Sequence, residues 1–140
     1  MNLQLITLEG IKLDQEIYEV ILPTADGEIS VFPGHEPLIS VAVPGVVQIR
    51  QNKVDANSSR LEYFAVSGGM IEINQQSVRI LVDEADHGDD IVEAESKAAL
   101  ERAMTLRDSA SSQVDLEKAH QLVDRHAVRL KVAELRRHRR

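Results

Sequence analysis

The sequence predicts a mixed β then α chain: an N-terminal antiparallel β-sandwich over residues 1–86, then a C-terminal antiparallel two-helix hairpin over residues 87–140. Three observations carry this. Apolar residues recur at period two in short runs from Leu3 to Val82, the spacing of strands with one buried face. Clusters of Pro, Gly, Asn and Asp interrupt the runs at intervals of about 8–12 residues, as they do in sandwiches. After Asp83 the alternation stops and helical spacing replaces it.

The strands follow from the alternation. Tyr18, Val20 and Leu22 alternate with Glu19 and Ile21, and Val47 and Ile49 with Gln48 and Arg50; Ile71 and Ile73 flank Glu72, and Val78, Ile80 and Val82 complete the set. Breaks are expected at Pro23–Gly27, Pro33–Pro37, Pro44-Gly45, Asn52–Ser59, Gly68-Gly69 and Asn74–Ser77. Strands this short in a single open sheet would leave edges and half the apolar surface exposed, so two packed sheets are expected. Ser67-Gly68-Gly69 lacks the Gly-Lys-Ser/Thr ending of a phosphate loop and is followed by strand-like MIEI, so it is read as a tight hairpin turn.

Beyond Asp83 an acidic N-terminal turn at Asp89 and Asp90 opens a first helix with Val92, Ala99, Ala103, Leu106 and Ala110 on one face. SASSQVD interrupts it. Ser112, with Asp115 three residues on, has the form of a capping box. The second helix sets Leu116, Ala119, Val123, Ala127 and Leu130 on one stripe and ends in arginines, whose sign complements a helix C-terminus. An alanine seam permits close approach but buries little area, so the hairpin needs the sandwich or a partner to hold it and is a candidate for movement.

Composition narrows the function. Of 140 residues 43% are hydrophobic and 28% charged, ordinary values for a globular protein, but aromatics are 3% and Trp is absent, so the core is aliphatic. The absence of Cys excludes disulfides, thiolate metal sites and thiol nucleophiles. No run of apolar residues is long enough to span a bilayer, and MNLQLITLEG lacks the basic and apolar regions of a signal peptide, so the protein is expected to stay where it is made. The net charge of -7 conceals a polarity: residues 125–140 hold seven Lys/Arg against one Glu, while seven carboxylates lie between Asp83 and Glu95. An acidic body with a basic end is expected to dock on charged partners.

The chemistry-bearing residues do not assemble into a catalytic site. His35-Glu36 is a fragment of a zinc motif whose second His is replaced by Ile39, so no metal is expected. No Gly-x-Ser-x-Gly nucleophile motif occurs. Nucleic acid is not an expected partner of the basic tail, since the rest of the chain is acidic and no aromatic follows Phe64. What stands out is stiffness: Pro33 and Pro37 restrict the backbone and Gly34 permits a sharp reversal, and a stiff loop has little ordering entropy to lose on docking. The competing reading is a small β-sandwich enzyme or metal-binding domain acting through His35, with a helical oligomerisation hairpin.

GEISVFPGHEPLISVAVPG, from Gly27 to Gly45, resembles the signature loop of the epsilon subunits of rotary F-type ATP synthases, with its Pro-Gly-His-x-Pro-Leu core. YFAVSGGMIEI from Tyr63 to Ile73 is similar to the family's Ser-Gly-Gly strand pair, and VRILVDEA to the strand that leads out of the sandwich. The resemblance covers the whole chain. It implies a non-catalytic central-stalk subunit that couples the gamma subunit to the c-ring during proton-driven ATP synthesis and opposes ATP hydrolysis through its hairpin. By position, Glu28, His35, Pro37 and Leu38 inherit the ring and gamma contacts. The basic second helix inherits contact with the catalytic alpha and beta subunits, and Arg125, Arg129, Arg136 and Arg137 are chosen there by charge. The implied location is peripheral, on the cytoplasmic face of a bacterial inner membrane or on a plastid thylakoid, with membrane contact only through the complex.

One departure bears on cofactors. Some members bind ATP through Ile-Asp-x-x-Arg-Ala, whereas residues 91–96 read IVEAES, keeping Ile91 but placing Val92, Glu95 and Ser96 at the other motif positions. Arg102, Arg125 and Arg129 match the remaining arginines of that site. A carboxylate where the triphosphate needs a cation is repulsive, so weak or absent ATP binding and no cofactor are expected.

Overall fold

A computed structural model describes residues 1–53 and 61–138. Ten strands come first: β1 (Asn2–Thr7), β2 (Gly10–Glu16), β3 (Glu19–Thr24), β4 (Gly27–Val31), β5 (Leu38–Ala42), β6 (Gly45–Arg50), β7 (Glu62–Val66), β8 (Gly69–Ile73), β9 (Ser77–Val82) and β10 (Ala85–His87). A 3-10 turn at Gly88–Asp90 leads to α1 (Glu93–Asp108) and α2 (Gln113–His138). The expected sandwich and helical pair are both present. The break expected at Asn52–Ser59 lies, from residue 54 on, outside the described residues.

The strands form two layers, β10-β7-β6-β3-β4 and β5-β8-β9-β1-β2, which among the described residues are joined around the pairing of Thr24 with Ala42. All pairings are antiparallel except that of β1 with β9, which is parallel because the first strand enters beside the last long one rather than through a hairpin. Alternation does what period two requires. Leu3 and Leu5 of β1, Val20 and Leu22 of β3, Val47 and Ile49 of β6, Ile71 and Ile73 of β8 and Val78 and Ile80 of β9 meet between the layers in a core of aliphatic side chains.

Two expected breaks and the expected acidic first turn of the helix take a different form. Pro23 and Thr24 belong to β3, and the turn is Ala25-Asp26, where the Thr24 hydroxyl accepts from the Asp26 N–H at 3.2 Å and donates to the Gly27 carbonyl. Ser67-Gly68-Gly69 is not a hairpin turn. β7 pairs with β6 and β10 while β8 pairs with β5 and β9, so the segment is a corner that carries the chain from one layer to the other. Asp89 and Asp90 do not open the first helix either. They sit in the 3-10 turn, which the His87 ring caps by accepting from the Asp89 N–H at 3.0 Å, and β10, too short to show alternation, precedes it.

The helix faces also differ from the expected stripes. Ala103 and Ala119 of the stripes are buried, but Val92, Leu106 and Ala127 are exposed, whereas Ser96, Val132 and Ala133, which lie off them, are buried. The reason is that α2 serves two neighbours. One side meets α1, and another lies on β6 and β7, where Val132 and Ala133 join Val46, Leu61, Tyr63, Ala65 and Ile91 in a second, smaller apolar cluster. The hairpin turn forms as the sequence indicates: the Asp115 N–H donates to the Ser112 hydroxyl at 3.1 Å. Ser112→Ala is expected to cost about 1 kcal/mol of hairpin stability, read as earlier loss of helical circular dichroism in urea.

Candidate functional site

Two surfaces collect the functional candidates. The first begins at the knuckle Phe32–Pro37. Gly34 adopts φ +89°, which a side chain disfavours, and its N–H donates to the Gln75 carbonyl at 2.8 Å, tying the loop to the β8–β9 turn. The His35 N–H donates to the Phe32 carbonyl at 3.3 Å, and the ring Nδ1 lies 2.6 Å from the Glu36 carbonyl oxygen. A carbonyl only accepts, so the ring proton sits on Nδ1 and His35 holds the loop's own backbone. Phe32 packs edge-on to Tyr18, with centroids 5.6 Å apart. Pro37 and Leu38 lie exposed at the knuckle's end, but Glu28 does not join them: it pairs with Pro23 beside the Ala25-Asp26 turn, at the other end of β4.

Beyond the knuckle extends the outer face of the β5-β8-β9-β1-β2 layer. Val41, Met70, Leu81, Ile6 and Ile11 are consecutive partners across five strands and form one apolar row. Val41 and Ile11 are each 60% exposed and Met70 42%. Alongside runs a mostly polar row, Ile39, Glu72, Arg79, Gln4 and Asp14, with Arg79 paired to Glu72 at 3.3 Å. Exposed Phe32, Leu38 and Ile39 connect this face to the knuckle. The row was legible in part, since β5 reads LISVA and alternation sends the β-branched Ile39 and Val41 to the side opposite Leu38, Ser40 and Ala42.

The second surface is the arginine face of α2, and here it is clamped. Arg125 lies 2.9 Å from Glu84, Arg129 3.7 Å from Asp86, Arg136 3.1 Å from Asp89 and Arg137 2.8 Å from Glu93. Arg136 also donates to the Gly88 carbonyl. The match is geometric: two residues along a strand rise about 6.7 Å and four along a helix about 6 Å, so Glu84 and Asp86 stand opposite Arg125 and Arg129 in register. These pairs are partly exposed, and such pairs are worth about 0–1 kcal/mol each. Above Arg125 the helix stands off the sandwich across an open groove of about 660 Å³, lined by Pro44, Ser67, Gly68, Glu84 and Leu122.

The residues inherited from the nucleotide motif separate. Ile91 is buried in the second apolar cluster, and Arg125 and Arg129 face the carboxylates above. Arg102 is exposed on α1, within electrostatic reach of His126.

Stiff, uncovered apolar surface on one side and a charge-clamped helix on the other define an assembly subunit rather than a pocket for chemistry. Residues 1–88 match the family of the ATP synthase Delta/Epsilon chain, β-sandwich domain. An ATP synthase epsilon chain of Herpetosiphon aurantiacus is 35% identical over 99% of this chain and 98% of its own. One of Desulforamulus reducens is 31% identical over 95% of this chain and 96% of its own. The fold superposes on a chain from the Euglena gracilis mitochondrial ATP synthase OSCP/F1/c-ring structure with TM-score 0.76, at 21% identity over 95% of this chain and 79% of that one. The chain belongs to the ATP synthase epsilon-chain family, and as such is a non-catalytic subunit of the central stalk. Among the described residues no helix is long and apolar enough to cross a membrane.

Proposed function

We propose that residues 1–86 couple the gamma subunit to the c-ring and that residues 87–140 act as a movable restraint on ATP hydrolysis. The observation that carries the first half is the uncovered apolar row from Val41 to Ile11, continuous with the knuckle. A contiguous apolar face on a protein of this size marks an interface. The knuckle end, with His35, Pro37 and Leu38, fits the ring, and the sheet face fits gamma. Glu28, at the opposite end of β4, fits the gamma side better than the ring. The complex then sits peripherally on the cytoplasmic face of the membrane.

Supporting the regulatory half is the modest grip on the hairpin. Its docking rests on Ile91, Val132 and Ala133, with Val128 and Leu135 only partly buried beside them, and burying Ile91 or Val132 is worth about 1.5–3 kcal/mol. Added to weak ion pairs, this leaves docked and released positions within a few kcal/mol, the range in which a partner shifts the balance. Released, Arg125, Arg129, Arg136 and Arg137 meet acidic segments of the catalytic subunits. ATP is not the ligand that holds the docked state, since Val92 and Glu95 replace the acidic and basic motif positions and the clamp already occupies Arg125 and Arg129.

The test is copurification at moderate salt with a gamma-type coiled-coil subunit and ring, using the full chain and one trimmed after His87. Both are expected to retain partners, and only the full chain to restrain ATP hydrolysis. Loss of both partners from the full chain defeats the coupling reading, and equal restraint by the trimmed chain defeats the regulatory one.

A further inference from the structure

His126 takes no part in the clamp, yet it sits inside it. It lies on α2 one residue beyond Arg125, and its Nδ1 is shielded from solvent with no hydrogen-bond partner among the described residues. Charges face it from each element packed there: Arg125 and Arg129 from its own helix, Arg102 from α1 and Asp86 from β10. Asp86 is itself engaged by Arg129, and Glu84 by Arg125, so the two nearby carboxylates are already shared with guanidinium groups. A neutral imidazole fits this position. An imidazolium brings a fourth positive charge beside three, and its Nδ1–H has no hydrogen-bond partner among the described residues.

We propose that His126 is a proton-operated release for the hairpin: gaining a proton destabilises the docked position and frees α2 from the sandwich. Burial first, then the charges of Arg125, Arg129 and Arg102, hold the docked His126 below the usual imidazole value of 6.5, while Asp86 acts in the other direction. Release from the sandwich lifts burial, the largest of these causes, and leaves Asp86 behind, while Arg102 travels with the hairpin. A lowered value in the docked state means that docking is favoured above about pH 6.5 and weakens as pH falls through the docked-state value. The inference rests on reading the hairpin as movable, and adds to it the chemical signal that moves it.

With no native Cys, spin labels can be placed uniquely at Gln76→Cys on the sandwich and Gln113→Cys on the hairpin of the full chain. Interlabel distances are then recorded between pH 8 and pH 5.5. The docked-to-released ratio is expected to fall by up to about tenfold per pH unit, the limit for one proton. His126→Gln, which cannot gain a charge and leaves His35, His87 and His120 in place, is expected to flatten that response. An unchanged pH response in His126→Gln overturns the proposal. Should His126→Gln fail to dock at all, the His126 ring proton resonance of the otherwise native chain decides: a midpoint at or above the ordinary imidazole value also overturns it. Arg129→Glu at pH 8 separates the two readings. If it releases the hairpin while acid leaves the parent docked, the proton switch fails and the movable hairpin stands; if neither releases it, both fail.

Discussion

Gly69→Ala is expected to destabilise the sandwich by about 3 kcal/mol, moving the urea midpoint down by about 2 M. The residue is exposed and its φ is ordinary, so neither burial nor backbone strain predicts this. The reason is a backbone approach: a Cβ at Gly69 would stand 2.0 Å from the Leu81 carbonyl oxygen and 2.9 Å from the Val82 Cα. Those atoms belong to β9, the partner of β8, so relief requires the two strands to part where the chain changes layers. Gly68→Ala is the internal control, because its Cβ would meet the Ala42 carbonyl oxygen at 3.3 Å and needs only a small shift. A Gly69→Ala protein within about 0.5 kcal/mol of the parent would show that the corner yields easily and that the glycine is there for another reason.

Joint replacement of Val41 and Met70 by Asp is expected to weaken capture of the gamma-type subunit by at least about 100-fold, equivalent to about 2.7 kcal/mol, with the fold retained. The two are direct partners on adjacent strands at the start of the apolar row. Both are exposed in the free subunit, so charging them costs little in folding beyond a strand-propensity term of up to about 1 kcal/mol each. In an interface the same change leaves two unpaired carboxylates without water, which is costly. Glu72→Gln in the neighbouring polar row is the control and is expected to change capture by less than threefold, or about 0.6 kcal/mol. Undiminished capture by a folded double variant would remove the sheet face from the coupling surface and leave the knuckle alone.

Some of this was open to reading along the chain and some was not. The strands, the stiff knuckle and the Ser112 cap depend on neighbours within a few positions, through period two, restricted backbone angles and a three-residue hydrogen bond. The faces of α2 depart from the sequence pattern because Ala127 and Val132 differ by which surface lies opposite them, and helical periodicity carries no information about that. The corner at Gly69 reads as a hairpin in sequence for a similar reason, since a Gly-Gly pair between two strands does not say whether those strands bond to each other.

By itself the sequence determined the order of sandwich and hairpin, the braced loop around His35 and the contrast of an acidic body with a basic end, because each is a local pattern or a sum of charges. Only the tertiary structure decided that α2 covers β6 and β7 while the Val41 to Ile11 row stays bare, that Arg125 and Arg129 fall in step with Glu84 and Asp86, and that His126 is enclosed among them. Those are contacts between residues tens of positions apart, and their energies depend on which surfaces are brought together rather than on what any one segment prefers.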